Sequence, residues 1–220
     1  MSDPLPTPLL LQAYRLGVFP MAVGPDQRIG WFSPDPRAII PLDDRFHISH
    51  SLRRTLKKVV IEDAPPVPLP ATPRFLVTIN RAFRDVIREC SIRDEGTWIS
   101  PAIIRAYTRL HEQRHAHSVE VWRLPPNAPP KWSPQLKLAG GLYGVAIGGA
   151  FFGESMFHRE TDASKVALVA LVERLRARQF ILLDTQWLTP HLARFGAYEI
   201  PRAEYLRLLA RATGLQRQFD

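Results

Sequence analysis

The chain has 220 residues, 45% of them hydrophobic, which is enough to bury a core and excludes disorder throughout. Lys and Arg outnumber Asp and Glu by 29 to 21, and the resulting net charge of +8 favours an anionic partner. A single cysteine, Cys90, excludes an internal disulfide and points to the cytosol; it follows Val86 and Ile87 on an apolar helical stripe, where packing is the ordinary role.

The first 21 residues hold one short apolar run broken by Gln12 and Arg15, with no basic leader and no small-residue cleavage site, so no signal peptide is expected. No apolar stretch approaches the roughly 20 residues that span a bilayer, and a soluble cytoplasmic protein is expected. Helix starts are legible where a hydroxyl precedes a proline, at Thr7 and Pro8, Ser100 and Pro101, and Thr189 and Pro190, and six to seven helices are expected.

Residues 47 to 60, HISHSLRRTLKKVV, read as a basic amphipathic helix capped by Ser49. His50, Arg53, Arg54, Lys57 and Lys58 fall on one face and Leu52, Leu56 and Val59 on the other. Such a face can neutralise several phosphates, or it is simply a solvated surface. The Pro-rich segment 62 to 75 reads as a loop that separates a small N-terminal domain, residues 1 to 62, from residues 63 to 220.

Two helices are expected next. Phe83, Val86, Ile87 and Cys90 form the stripe of the first, and Ile103, Ile104, Tyr107 and Leu110 or His111 that of the second. Trp98, beside the Ser100 cap, is either a core residue or a stacking platform next to free backbone donors; Trp31, Phe32 and Trp122 are further aromatics near turns and strands. A β-rich core is expected from about residue 115: HSVEVWRL, then a hairpin over residues 138 to 157 turning at Gly148 and Gly149, and finally FILLD at 180 to 184. The Pro-rich segment 124 to 135 reads as a strand connection, and Leu168, Leu171, Val172 and Leu175 mark a helix before the last strand.

Two polar positions interrupt this core. Strand alternation places Phe152, Glu154 and Met156 on one face and Phe151, Gly153, Ser155 and Phe157 on the other, so Glu154 either reaches a cavity or meets a cation. In LLDTQ, Asp184 and Gln186 share a face at a strand end; they line a crevice there, or Asp184 serves a loop and Gln186 the surface. No Cys or His spacing suits zinc, no Gly-rich loop precedes a helix and no Ser sits in a nucleophile elbow, so neither a metal nor a cofactor is expected.

The motifs AYRLGVFPM, WFSPDPRAIIPLD, FHISHSLRR, AYTRLHEQRHAHSVEVW, GGLYGV, FFGESMFHRETDASK and LLDTQ, with HLARFGAYEIPRAEY, occur in order from about residue 9 to 209. Together they resemble the leucyl/phenylalanyl-tRNA-protein transferase family. The resemblance implies an α/β fold: a small N-terminal domain and a GNAT-like (N-acetyltransferase-like) C-terminal domain with a mixed sheet flanked by helices. It implies transfer of Leu or Phe, with Met in addition, from aminoacyl-tRNA to proteins beginning with Arg or Lys, for N-end rule degradation, by a monomer.

By the same resemblance, Asp184 and Gln186 match the catalytic pair. Leu142, Phe151, Met156, Leu168 and Leu183 match the pocket for the esterified amino acid, and Glu154 a carboxylate at its edge. Trp98 and Tyr107 match the site of the terminal adenosine, and Arg53, Arg54, Lys57 and Lys58 the contacts to the acceptor stem. His50 stands where a permanently charged residue is usual, and Met21 where some members carry tryptophan. A CoA-dependent N-acetyltransferase would need a Gly-rich turn that HRETDASK, at 158 to 165, lacks, and a non-catalytic RNA-binding module would not need the apolar pocket.

Overall fold

The structure is a computed structural model that describes residues 4–62 and 69–220. Among them an N-terminal helix, α1 (Thr7–Arg15), leads into a two-stranded antiparallel sheet of β1 (Phe19–Val23) and β2 (Arg28–Phe32). There follow β3 (Arg37–Ile40), α2 (His50–Leu56), β4 (Val59–Ile61), β5 (Phe75–Ile79), α3 (Phe83–Ser91), α4 (Pro101–Glu112) and β6 (Ala116–Arg123). The chain ends with β7 (Lys137–Ile147), β8 (Ala150–His158), α5 (Ala163–Ala177), β9 (Leu182–Gln186), α6 (Pro190–Ala193), β10 (Tyr198–Ile200) and α7 (Arg202–Thr213).

An eight-stranded mixed sheet runs in the order β10-β3-β9-β8-β7-β6-β5-β4, with β4 parallel to β5 and β8 parallel to β9. Apolar side chains of α1, α3, α4 and α7 form the core on one face, and those of α5 and α2 the core on the other. This is the α/β arrangement with flanking helices that the sequence led us to expect. No helix among the described residues is long and apolar enough to cross a membrane.

Several elements follow directly from local chemistry. Ser100 and Thr189 cap α4 and α6 by accepting from the backbone N–H of Ile103 and Leu192. Gly148 turns the β7–β8 hairpin at φ +58°, where a Cβ would meet backbone oxygens of Thr213, Ala212 and Leu215 within 2.8 Å. Cys90 is buried on the α3 stripe, and burial pushes its thiol up to about 12, so it packs and does not react.

Other expectations are corrected. Thr7 is the first residue of α1 and Pro6 its cap, without a side-chain hydrogen bond. The basic helix stops at Leu56, because Lys58 lies in a turn and Val59 opens a strand that pairs with Phe75. The sheet begins well before residue 115, since β3, β4 and β5 are short and their pairing partners are distant in sequence. Residue 62, the expected boundary, lies between the paired strands β4 and β5, and this pairing by itself does not decide the division; residues 63–68, part of the loop expected at 62 to 75, lie outside the described residues.

Candidate active site

Strands β8 and β9 pair in parallel only at Ala150 with Leu182, Phe151 with Leu183, and Phe152 with Asp184. Beyond that point they diverge, because β8 continues to His158 against β7 alone while β9 ends at Gln186. A cavity of about 540 Å³ opens there, outside the carboxyl end of β9, as open α/β sheets place their ligands.

A bulge shapes its wall. Tyr143 opposes Ser155 and Gly144 opposes Gly153, which leaves Glu154 as the extra residue of β8. Gly144 is needed opposite this bulge, where a Cβ would come within 2.3 Å of the Phe152 carbonyl oxygen. The bulge overturns the expected alternation: Phe152 and Phe157 pack in the core on the α3 side, while Phe151 and Met156 face the α5 side. Glu154 is thereby aimed into the cavity.

The apolar wall consists of Leu142, Met156, Leu168, Leu171 and Leu183; Phe19, Met21, Trp98 and Trp187 line the rest, with Gln186 and Arg93 among the polar residues. Phe151, expected in this wall, lies behind it with its ring 5.1 Å from that of Phe219. Tyr107 likewise sits behind the surface. Its hydroxyl reaches Glu154 Oε2 at 3.4 Å and pairs closely with that of Tyr14, which in turn donates to Glu154 Oε1 at 2.7 Å. Desolvation, helped by the charge of Asp184, pushes the Glu154 carboxyl up to about 8 against the pull of the Tyr14 hydrogen bond.

Asp184 does not share the cavity with Gln186. A second irregularity, with Ile39 opposite Asp184 and Ala38 opposite Gln186, makes Thr185 the extra residue of β9 and breaks the expected shared face. Asp184 is fully buried and held by Arg37, which is 1% exposed. Arg37 Nε donates to Oδ1 at 2.9 Å and Nη2 to Oδ2 at 2.6 Å, a bidentate ion pair. Tyr205 adds its hydroxyl to Oδ2 at 2.8 Å, and the Gln186 N–H adds itself to Oδ1 at 2.9 Å. Burial opposes the Arg37 charge, and Asp184 more than offsets it, raising the guanidinium further. The same guanidinium lies 4.9 Å and 4.5 Å from the ring centroids of Phe19 and Tyr205.

Gln186 is thus pinned at φ +61°, a left-handed conformation that an L residue keeps only when its surroundings impose it. Its side chain lines the cavity and is 6% exposed, and its Nε2 has no hydrogen-bond partner among the described residues. Arg37, Tyr205 and Tyr14 were not singled out in the sequence. A charged residue directly before the apolar run Ala38, Ile39 and Ile40 was the available signal for Arg37. Of the basic positions, Arg53 and Arg54 are exposed on α2, Lys57 caps it and Lys58 follows it.

A family model described as leucyl/phenylalanyl-tRNA protein transferase matches residues 39–210, and one for the N-terminal domain of the same family matches residues 3–35. The chain belongs to this family. A relative from Akkermansia muciniphila named leucyl/phenylalanyl-tRNA--protein transferase is 50% identical over 96% of this chain and 98% of its own. Relatives of the same name from Herpetosiphon aurantiacus, 50% identical over 96% of each chain, and Cereibacter sphaeroides, 48% identical over all of this chain and 91% of its own, agree. As a family member the chain is an aminoacyltransferase.

Proposed function

We propose that this enzyme moves Leu or Phe, and Met in addition, from aminoacyl-tRNA to the α-amino group of proteins that begin with Arg or Lys. The acceptors are thereby marked for N-end rule degradation, in the cytoplasm, by a monomer that uses no cofactor. The observation that carries the reading is the apolar wall of Leu142, Met156, Leu168 and Leu183 meeting Glu154 and Gln186 where β8 and β9 diverge. Such a wall accepts an aliphatic or aromatic side chain and rejects a charged one by desolvation.

An aminoacyl ester is already activated. The new C–N bond forms as the ester C–O bond breaks, the attacking amine gives up a proton and the ribose oxygen gains one. The protein chiefly needs to hold an uncharged amine against the carbonyl carbon. We assign Glu154 to the acceptor amine, because a cation offsets the desolvation of this carboxylate, and a carboxyl near pH 8 is matched to an α-amine of similar pKa.

Gln186 faces the reacting groups, and Asp184 serves as its anchor instead of as a proton acceptor, since both carboxylate oxygens are already taken. Trp98 and Met21 receive the terminal adenosine, while Tyr107 acts through Glu154 and Phe151 supports the wall from behind. Arg53, Arg54, Lys57 and Lys58 meet the acceptor stem. We place the division between the two units at residues 33 to 36, after the small sheet and before β3.

The test is transfer from leucyl-tRNA to a peptide beginning with Arg, run beside the same peptide with acetyl-CoA. Labelled product in the first reaction alone is expected; product only with acetyl-CoA would replace the reading by an N-acetyltransferase.

A further inference from the structure

A groove lies between α3 and α4, on the face of the sheet opposite α2 and α5. Its volume is about 320 Å³, and its lining residues include Arg84, Arg88, Arg105, Arg109 and Glu112. Among the described residues that line it, four guanidinium groups thus face one carboxylate. Arg84 and Arg88 stand four residues apart on α3, and Arg105 and Arg109 four apart on α4, a like-charge spacing that destabilises each helix. Packing the two faces together adds to that repulsion.

Two of the arginines are tied down: Arg84 pairs with Glu112 at 2.6 Å, and Arg109 donates to the Leu5 carbonyl at 3.0 Å. The guanidinium groups of Arg88 and Arg105 are exposed and make no hydrogen bond to protein among the described residues. The end of α3 also leads to the cavity. Arg93, just past the end of α3, lines the cavity and is held there by Met156 O at 2.7 Å and Ser155 Oγ at 3.2 Å. Arg88 stands in the last turn of α3, about 6 Å along the helix from Arg84 and five residues before Arg93, so the α3 arginines of the groove lie toward the helix end that leads to the cavity.

We propose that this groove binds the sugar-phosphate backbone of the tRNA whose aminoacylated end occupies the cavity, as a second basic surface beside α2. The inference rests on the aminoacyl-tRNA reading of the cavity. Guanidinium groups suit phosphates through paired N–H donors, and a row of them follows a backbone without reading its sequence. A docking site for the acceptor protein fits less well, because an acceptor that begins with Arg or Lys would be repelled by the arginines of the groove.

Wild-type transfer from leucyl-tRNA is measured first, since its absence would defeat the cavity reading and not this one. The variant R88A/R105A is then compared with wild type for tRNA affinity against salt, and for transfer from leucyl-adenosine, which carries the ester but no phosphate backbone. The slope of log affinity against log salt is expected to fall in magnitude by about 1.4 to 1.8, the loss of two phosphate contacts, while leucyl-adenosine is used as by wild type. The single variants R88A and R105A should each give about half that change and stand in if the double variant fails to fold. An unchanged salt slope would overturn the proposal, as would a raised KM for the acceptor peptide with tRNA affinity intact.

Discussion

At Asp184 the chemistry of a buried ion pair decides what a substitution does. Asp184→Ala would leave the Arg37 guanidinium, 1% exposed, without its counter-charge. Breaking such a pair from one side costs about 3 to 5 kcal/mol, so the variant is expected to lose stability as well as activity, which calorimetry would show as a lowered Tm. Gln186→Ala is the contrasting case, because its side chain lines the cavity and its Nε2 bonds to nothing among the described residues. Its Tm should stay near wild type while kcat falls on the order of 10²-fold, the usual loss for a polar group facing a reacting carbonyl. Both residues were legible in LLDTQ as polar breaks in an apolar strand. Their different surroundings were not, because the extra residue at Thr185 and the arrival of Arg37 from 147 positions away are tertiary facts.

Elements were readable where the chain signals locally and obscure where it does not. The Ser100 cap, the Gly148 turn and the stripes of α3 and α5 follow from residues within one or two turns of each other. By contrast β3, β4 and β10 are three or four residues long, too short for alternation to show, and they form because a neighbouring strand supplies their hydrogen bonds. The bulge at Glu154 is also silent in sequence, yet it reverses which side of β8 meets the cavity. The α4 cap ties this scale to function, because the same chain end that carries Ser100 carries Trp98 into the cavity. Ser100→Ala should lower stability by about 1 kcal/mol through the lost bond to the Ile103 N–H. It should also raise KM for aminoacyl-tRNA more than it changes kcat, since the frayed helix start no longer fixes the indole; steady-state kinetics with leucyl-tRNA and with leucyl-adenosine would both register it.

Across the whole molecule, stability is tied to pH by buried groups on both sides of the sheet. Burial pushes Glu120 up to about 7, although Thr78 and Ser118 donate to it, and pushes Glu154 up to about 8. Both carboxyls hold a proton in the folded state that the unfolded chain releases near the ordinary glutamate value of 4.5. Their contribution is therefore complete below that value and is lost as pH rises through 7 and 8. Burial acts oppositely on His117, lowered to about 4, and lowers His115 and His191 as well, so these favour folding increasingly as pH climbs to their unfolded value of 6.5. The two trends oppose each other below 6.5, and above it only the carboxyls remain. The Tm is expected to fall from pH 6.5 towards pH 8.5, with roughly 2 to 3 kcal/mol lost. Glu120→Gln should lessen the decline below pH 7, where Glu120 and Glu154 both contribute, and leave the part between 7 and 8, which belongs to Glu154. Thermal unfolding followed from pH 5.5 to 8.5 in both proteins checks this, and identical curves would show that burial does not raise Glu120 above its unfolded value.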